Sequence, residues 1–308
     1  MQALPQPSSF LQAWLTQVRA SPWVAAGLAV ALLVVLWLLI SSLFNVFEEG
    51  HPERVRHALY GGGAGFAATA LGAFAALALG TISVRTQDSL LGFAAGMMLA
   101  ASSFSLIIPG LEAAENITGS SMLGAATVVL GLALGVLLML GLDHFTPHEH
   151  ESTGPLGPQS ERLNRVWLFV FAITLHNLPE GMAVGVGFAG DDMKVGIPLA
   201  TAIAIQDIPE GLAVALALRT TGLSALHAAL IAVASGLMEP LGALVGVGMS
   251  SSYALAYPVG LGLAAGAMLF VVSHEIIPET HRNGHQTPAT LGLMGGFAVM
   301  MFLDTALG

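Results

Sequence analysis

Nine stretches of mostly apolar sequence, each long enough to cross a lipid bilayer, occupy most of the chain of 308 residues. A helix needs about 20 apolar residues to span the hydrocarbon core. We number the stretches spans 1 to 9, at residues 23–44, 57–82, 89–111, 121–142, 165–190, 195–218, 223–249, 253–278 and 287–307. The runs are continuous rather than alternating, which argues against an outer-membrane barrel. The sequence therefore predicts an all-α polytopic membrane protein.

Composition excludes several other classes of protein. Only 9% of the residues are charged, whereas soluble domains are close to a quarter charged. The 9 Lys and Arg against 19 Asp and Glu give a formal net charge of −10, while a nucleic-acid binder needs a basic surface. The absence of cysteine excludes a disulfide scaffold and thiol catalysis. We therefore expect contact with the lipid bilayer and none with nucleic acid.

An odd number of spans places the two termini on opposite sides of the membrane. With the N-terminus in the cytoplasm, the residues assigned to the inside are Arg19, Arg85, Arg162, Arg165, Arg219 and Arg282. Those assigned to the outside are Arg54, Arg56 and Lys194. Because basic residues concentrate in cytoplasmic loops, we predict a multi-pass protein of the plasma (inner) membrane with a cytoplasmic N-terminus and an extracytoplasmic C-terminus.

The chain divides into an N-terminal segment and a core. Residues 1–50 contain span 1, and residues 51–308 contain the other eight spans. The longest polar connection, residues 143–164, is rich in Pro, Gly and Ser, which is typical of a flexible linker. The predicted topology makes this linker cytoplasmic.

Spans 5 and 6 contain two copies of one motif. Residues 176–181 read HNLPEG and residues 206–211 read QDIPEG, and each is followed by small and aliphatic residues. Because adjacent spans run in opposite directions, the copies face each other in inverted sense.

Spans 3 and 8 contain a second, weaker repeat. GMML at residues 96–99 and IIP at 107–109 match GAML at 266–269 and IIP at 276–278. These spans also run in opposite directions. Inverted repeats with Pro-interrupted helices indicate a transporter.

Seven polar side chains are predicted near the middle of spans 5, 6 and 7. They are His176, Asn177, Glu180, Gln206, Asp207, Glu210 and Glu239. Residues four apart share one face of a helix, so His176 and Glu180 project together. Polar groups at this depth are costly to bury and are characteristic of functional sites.

Four of the seven are carboxylates, and no Lys or Arg lies at that depth. Four such charges must be protonated or neutralised by cations. Two divalent ions would balance them, with Glu180 and Glu210 in the bridging positions. Imidazole, carboxylate and amide ligands, with a Met thioether as a further candidate, suit Zn²⁺ as substrate, with Cd²⁺, Fe²⁺ or Mn²⁺ as alternatives. The competing interpretation is that these side chains only hydrogen-bond to one another and hold the helices together. It is disfavoured because the polar residues occur in two copies of one motif and because no Lys or Arg is available to pair with the carboxylates.

The HNLPEG and QDIPEG motifs resemble those of the bacterial branch of the ZIP (Zrt-/Irt-like) family of divalent metal transporters. The resemblance covers about residues 55–308 and implies an eight-helix core with inverted repeats, to which span 1 is additional. It further implies metal movement into the cytoplasm, a homodimer and an elevator-like motion. It assigns one metal site to His176, Glu180, Gln206, Glu210 and Met98. It assigns a second site to Asn177, Glu180, Asp207, Glu210 and Glu239. Many members of the family have His where this chain has Gln206, so the metal preference does not carry over.

Further polar residues suggest a route to and from this centre. Met98, Ser105 and Glu112 are spaced seven apart on span 3, and Asp304 has a similar outer depth on span 9. They form either an entrance path or a hydrogen-bonded seam between helices. Toward the cytoplasm, the candidate exit residues are His274, Glu275, Asp143, His144, His148 and His150. The alternatives there are a solvated span end and an ordinary polar linker.

We expect a transporter and not an enzyme, with no catalytic cofactor. An intramembrane metallohydrolase is disfavoured because no His-Glu-x-x-His motif occurs. A di-iron oxidase would favour Glu-x-x-His pairs, which both copies lack. A selective metal channel remains open as an alternative, although inverted repeats favour alternating access.

Overall fold

The structure is a computed structural model that describes residues 10–49, 52–79, 82–146, 148–150, 154–156, 177–190, 193–220, 222–250 and 253–307. Eight of the described helices are long and apolar enough to cross a membrane, and they coincide with spans 1–4 and 6–9. The remaining predicted span, span 5, is described from residue 177 and is helical over 177–187. The prediction of an all-α polytopic membrane protein is confirmed.

The helices have the following bounds. A short helix, Phe10–Ala20, precedes span 1. Spans 1, 2, 4, 6 and 9 are Pro22–Glu49, Pro52–Leu79, Ser121–Phe145, Met193–Thr220 and Gln286–Leu307. Span 3 consists of Val84–Ala100, Ala101–Ile107 and Ile108–Thr118, and span 8 of Ala256–Val271, Val272–Ile276 and Ile277–His281. Span 7 consists of Ala225–Ser235 and Met238–Ser250.

The predicted linker begins later than expected. Asp143 and His144 lie in the last turn of span 4, and the helix continues to Phe145. The His144 side chain stabilises this end, because its Nε2 lies 2.9 Å from Gln17 Nε2 and 2.8 Å from Ser21 Oγ. Beyond it, residues 148–150 and 154–156 pair as a small antiparallel hairpin.

Spans 3 and 8 share an unusual break at matching places. Their middle segments are π-helical, and each ends at the first Ile of the Ile-Ile-Pro repeat. The Ile108 N–H donates to the Ser103 carbonyl and the Ile277 N–H to the Val272 carbonyl, five residues back in each case. The proline that follows in each span, Pro109 or Pro278, has no N–H to donate to a helical hydrogen bond. The weaker repeat in the sequence therefore corresponds to a shared backbone feature.

The core helices pack as two groups, and the inverted repeat relates helices within each group. Span 3 packs on span 9, and span 8 packs on span 4 in the same way. In span 8, Gly262 and Gly266 lie directly against the carbonyls of Val128 and Leu132 of span 4. Such close backbone contacts are typical of small residues in membrane helices. Spans 3, 4, 8 and 9 form one group.

Spans 2, 5, 6 and 7 form the second group, which we call the motif group because it contains both motif copies. Span 2 packs along spans 6 and 7, and Gly181 of span 5 lies against the backbone of Glu239 of span 7. Span 1 contacts both groups, since Leu28 packs on Gly141 of span 4 and Leu39 on Gly248 of span 7.

Candidate metal centre

The motif group gathers carboxylates at one buried locus. Glu180, Asp207 and Glu210 place ligand oxygens within 4.8 Å of one another, and all three residues are buried. Glu239 is 1% exposed and Glu180 is also 1% exposed. Burial at this depth is costly for a carboxylate unless a partner or a cation compensates its charge. Four of the seven predicted polar residues are thus buried acids in one group of helices.

Local sequence explains how these side chains are held. Span 7 breaks at residues 236–237, and Glu239 lies in the first turn of the helix that follows, with Pro240 next to it. Proline is tolerated at a helix start because the first N–H groups have no helical partner there. The positive end of this half-helix favours a carboxylate at Glu239. Span 6, by contrast, continues through Pro209 as one helix.

Hydrogen bonds connect the carboxylates to neighbouring helices. The Gln206 amide Nε2 donates to Glu180 Oε1 at 2.5 Å, which joins spans 6 and 5. The Thr69 hydroxyl of span 2 donates to Glu239 Oε1 at 2.8 Å. Among the described residues, no donor reaches Asp207 Oδ2, Glu239 Oε2 or Gln206 Oε1. These buried oxygens are the kind of ligand that a divalent cation takes.

Of the other predicted ligands, the structure describes Asn177 and Met98, and both are buried. Asn177 is 4% exposed at the start of the described part of span 5. Met98 is fully buried in span 3, which packs against span 6. His176 lies outside the described residues.

Two of the predicted entrance residues are in contact. The Ser105 hydroxyl donates to Asp304 Oδ1 at 2.5 Å, which joins spans 3 and 9. Glu112 is exposed. The expected straight stripe through Met98, Ser105 and Glu112 is altered, because π-helical residues between Ala101 and Ile107 bond five apart and change the angular register.

The candidate exit residues fall into separate places. His274 Nε2 lies 3.8 Å from Asp143 Oδ2, so the π-helical segment of span 8 lies close to the last turn of span 4 at these two residues. Glu275 is buried beside His274. His144 instead contacts the N-terminal segment, and His148 and His150 lie on the first strand of the hairpin.

Two residues near the centre were not anticipated from the sequence, Gly65 and Thr69 of span 2. A Cβ at Gly65 would overlap Glu239 Oε2 and lie 2.9 Å from Asp207 Oδ2. A signal was available, because LGA occurs at residues 71–73 and again at 241–243. That third repeat aligns span 2 with span 7.

Several known proteins are similar to this chain in sequence. The family profile described as ZIP Zinc transporter matches residues 143–304. The zinc transporter ZIPB of Bordetella bronchiseptica is 65% identical over 98% of this chain and 99% of its own length. The zinc transporter GufA of Myxococcus xanthus is 44% identical over 78% of this chain and 95% of its own length. The human zinc transporter ZIP11 is 31% identical over 84% of this chain and 99% of its own length. The motifs, the eight-span core and these similarities together show that the chain belongs to the ZIP family, a family of transporters rather than of enzymes.

Proposed function

We propose that this protein imports Zn²⁺ across the inner membrane into the cytoplasm through the centre formed by the motif group. The observation that carries the proposal is the buried set of carboxylates, with Glu180, Asp207 and Glu210 close enough to share a metal ion. The names of the related zinc transporters in Bordetella and Myxococcus support Zn²⁺ as the substrate. Cd²⁺, Fe²⁺ and Mn²⁺ are the alternative substrates that the donor set allows.

The charge of the centre favours two metal ions bound together. Its four buried carboxylates are Glu180, Asp207, Glu210 and Glu239. In a medium of low dielectric these charges are stable only when protons or cations neutralise them. Two divalent ions supply the matching positive charge, with Glu180 and Glu210 bridging between them.

The two ions would have different surroundings. His176, Gln206 and Met98 provide the softer side, and Asn177, Asp207 and Glu239 the harder side. A softer donor set favours Zn²⁺ and Cd²⁺, while oxygen donors accept harder cations as well. Because metal binding displaces protons from clustered carboxylates, transport can be coupled to protons.

A path through the protein connects the polar contacts outside the centre. Ser105 and Asp304 are proposed to receive the ion on the outer side. Asp143, His274 and Glu275 are proposed to release it on the cytoplasmic side, with the hairpin that contains His148 and His150 beyond them. The assignment of sides rests on the distribution of basic residues.

Alternating access suits the division of the core into two groups of helices. Inverted repeats commonly build transporters in which one group of helices moves against the other. The motif group contains the metal centre and is the group proposed to move, in an elevator-like manner. The protein is proposed to be a homodimer. Gly262 and Gly266 of span 8 are not available for the contact between the two copies, because they pack against span 4 of the same chain.

The test is Zn²⁺ flux into proteoliposomes that contain a trapped zinc dye. We expect saturable flux in the wild type and loss of flux in Glu180→Gln, which keeps the shape of the side chain and removes its charge. Exposed Glu53→Gln is the matched control, expected to transport as the wild type does. Equal flux in Glu180→Gln and wild type would refute the centre. Flux that rises without saturation would favour the channel alternative.

A further inference from the structure

Span 2 forms one wall of the metal centre with two residues that share a helix face. Gly65 and Thr69 are four apart, so they lie on the same side of the helix. Thr69 is 6% exposed and donates its hydroxyl to Glu239 Oε1 at 2.8 Å. Gly65 lies against the other oxygen of Glu239 and near Asp207 Oδ2, because a Cβ there would overlap Glu239 Oε2 and lie 2.9 Å from Asp207 Oδ2.

Thr69 and Glu239 occupy equivalent positions in the inverted repeat. They are 170 residues apart, and the same offset aligns LGA at residues 71–73 with LGA at 241–243. Backbone contacts agree, because Gly211 lies against the Thr69 carbonyl as Gly181 lies against the Glu239 carbonyl. The two equivalent residues therefore meet each other across the centre.

We propose that Thr69 is a positioning residue of the metal centre, which holds Glu239 by its Oε1 so that Glu239 Oε2 and Asp207 Oδ2 face a cation, while the missing side chain at Gly65 leaves room for the Glu239 carboxyl group. The proposal rests on the transport function proposed above and names two residues that set its harder metal site. Thr69 acts through Glu239 and is not itself a ligand.

The chemistry of the hydroxyl explains why a threonine suits this position. A carboxylate that accepts one hydrogen bond at a fixed angle loses rotational freedom, and its second oxygen is directed before the ion arrives. Partners that orient metal ligands commonly change affinity by about 10- to 100-fold when they are removed. A glutamate at the equivalent position would instead add a fifth carboxylate, more negative charge than two divalent ions balance.

The experiment compares Thr69→Val with Thr69→Ser in purified full-length protein. Valine keeps the shape and removes the donor, whereas serine keeps the donor. Zn²⁺ binding is measured by equilibrium dialysis in detergent, and flux is measured in proteoliposomes as KM and maximal rate. Thr201→Val is the matched control, because within the described part of the chain the Thr201 hydroxyl bonds only to the Ile197 carbonyl of its own helix, at 2.8 Å.

We expect Thr69→Val to weaken the harder site by about tenfold in Kd, with a matching rise in KM and a smaller change in maximal rate. Thr69→Ser and Thr201→Val should bind as the wild type does. Gly65→Ala, which places a methyl group among the carboxyl oxygens, should lose one bound Zn²⁺ per chain. If Thr69→Val does not give folded protein, Thr69→Ala replaces it, since alanine also lacks the hydroxyl.

The proposal is overturned if Thr69→Val binds Zn²⁺ with the wild-type Kd, or if Thr69→Ser is as defective as Thr69→Val. Wild-type protein that binds Zn²⁺ but shows no saturable flux would contradict the transport function instead. Because the dialysis measurement does not depend on flux, the role of Thr69 is decided in either case.

Discussion

Gln206 and Glu180 meet at the contact between spans 6 and 5, where the Gln206 amide donates a 2.5 Å hydrogen bond to Glu180 Oε1. Both side chains are buried, and Gln206 is fully inaccessible to solvent. No donor among the described residues reaches the amide oxygen of Gln206. Gln206 therefore holds the proposed bridging carboxylate with its amide nitrogen, and its amide oxygen is a proposed metal ligand.

Gln206→Ala should weaken zinc transport without abolishing it. Alanine removes both the donor to Glu180 and the amide oxygen, so we expect KM for Zn²⁺ to rise by about tenfold or more. The measurement is the concentration dependence of initial flux in proteoliposomes. Gln286→Ala is the control, because Gln286 is exposed at the start of span 9. An unchanged KM in Gln206→Ala would remove Gln206 from the centre.

Glu239→Gln should lower the number of bound ions from two to one per chain. The substitution leaves three carboxylates, and three negative charges do not balance two divalent ions in a buried site. Metal content is measured on folded protein after equilibrium dialysis against Zn²⁺, with Glu53→Gln as the control. Two ions per chain in Glu239→Gln would contradict the binuclear centre.

The architecture was predictable because membrane spans and duplicated motifs leave strong sequence patterns. The eight described spanning helices follow the predicted boundaries closely, and the motifs of spans 5 and 6 already indicated the acids of the centre. Because adjacent spans run in opposite directions, the two copies of the motif predicted that Glu180 and Glu210 lie on helices that face each other.

Contacts made between distant helices were not predictable in the same way. Thr69 is a small polar residue in an alanine-rich helix, and such residues are common at helix contacts that have no ligand. Spacing alone also did not predict the π-helical segments of spans 3 and 8, and the one in span 3 changes the angular register between Met98 and Glu112. The prediction for His176 stays untested, because it lies outside the described residues.

Gly266→Ala should destabilise the fold. A Cβ there would overlap the Leu132 carbonyl of span 4, a backbone atom that moves only with its helix. Overpacking of this kind costs about 1–3 kcal/mol. The control is Gly63→Ala, because a Cβ at Gly63 meets nothing within 4 Å. We expect a lower midpoint of thermal unfolding in detergent for Gly266→Ala alone, and equal midpoints would contradict the close packing of spans 8 and 4.

The contact between Ser105 and Asp304 can be tested by separating its charge from its hydrogen bond. Asp304→Asn removes the charge and keeps an oxygen that accepts from Ser105, whereas Ser105→Ala removes the hydrogen bond and keeps the charge.

If Asp304 attracts ions at an entrance, Asp304→Asn should raise the KM for Zn²⁺ severalfold, and the difference from wild type should shrink as salt screens the charge. Ser105→Ala should then have the smaller effect on KM. If the pair is only a seam between spans 3 and 9, Asp304→Asn should transport as the wild type does, and Ser105→Ala should lower the thermal midpoint. Initial flux at two salt concentrations, together with unfolding curves for both variants, separates the two outcomes. We expect the first, because a carboxylate at the membrane end of span 9 attracts divalent cations in addition to bonding Ser105.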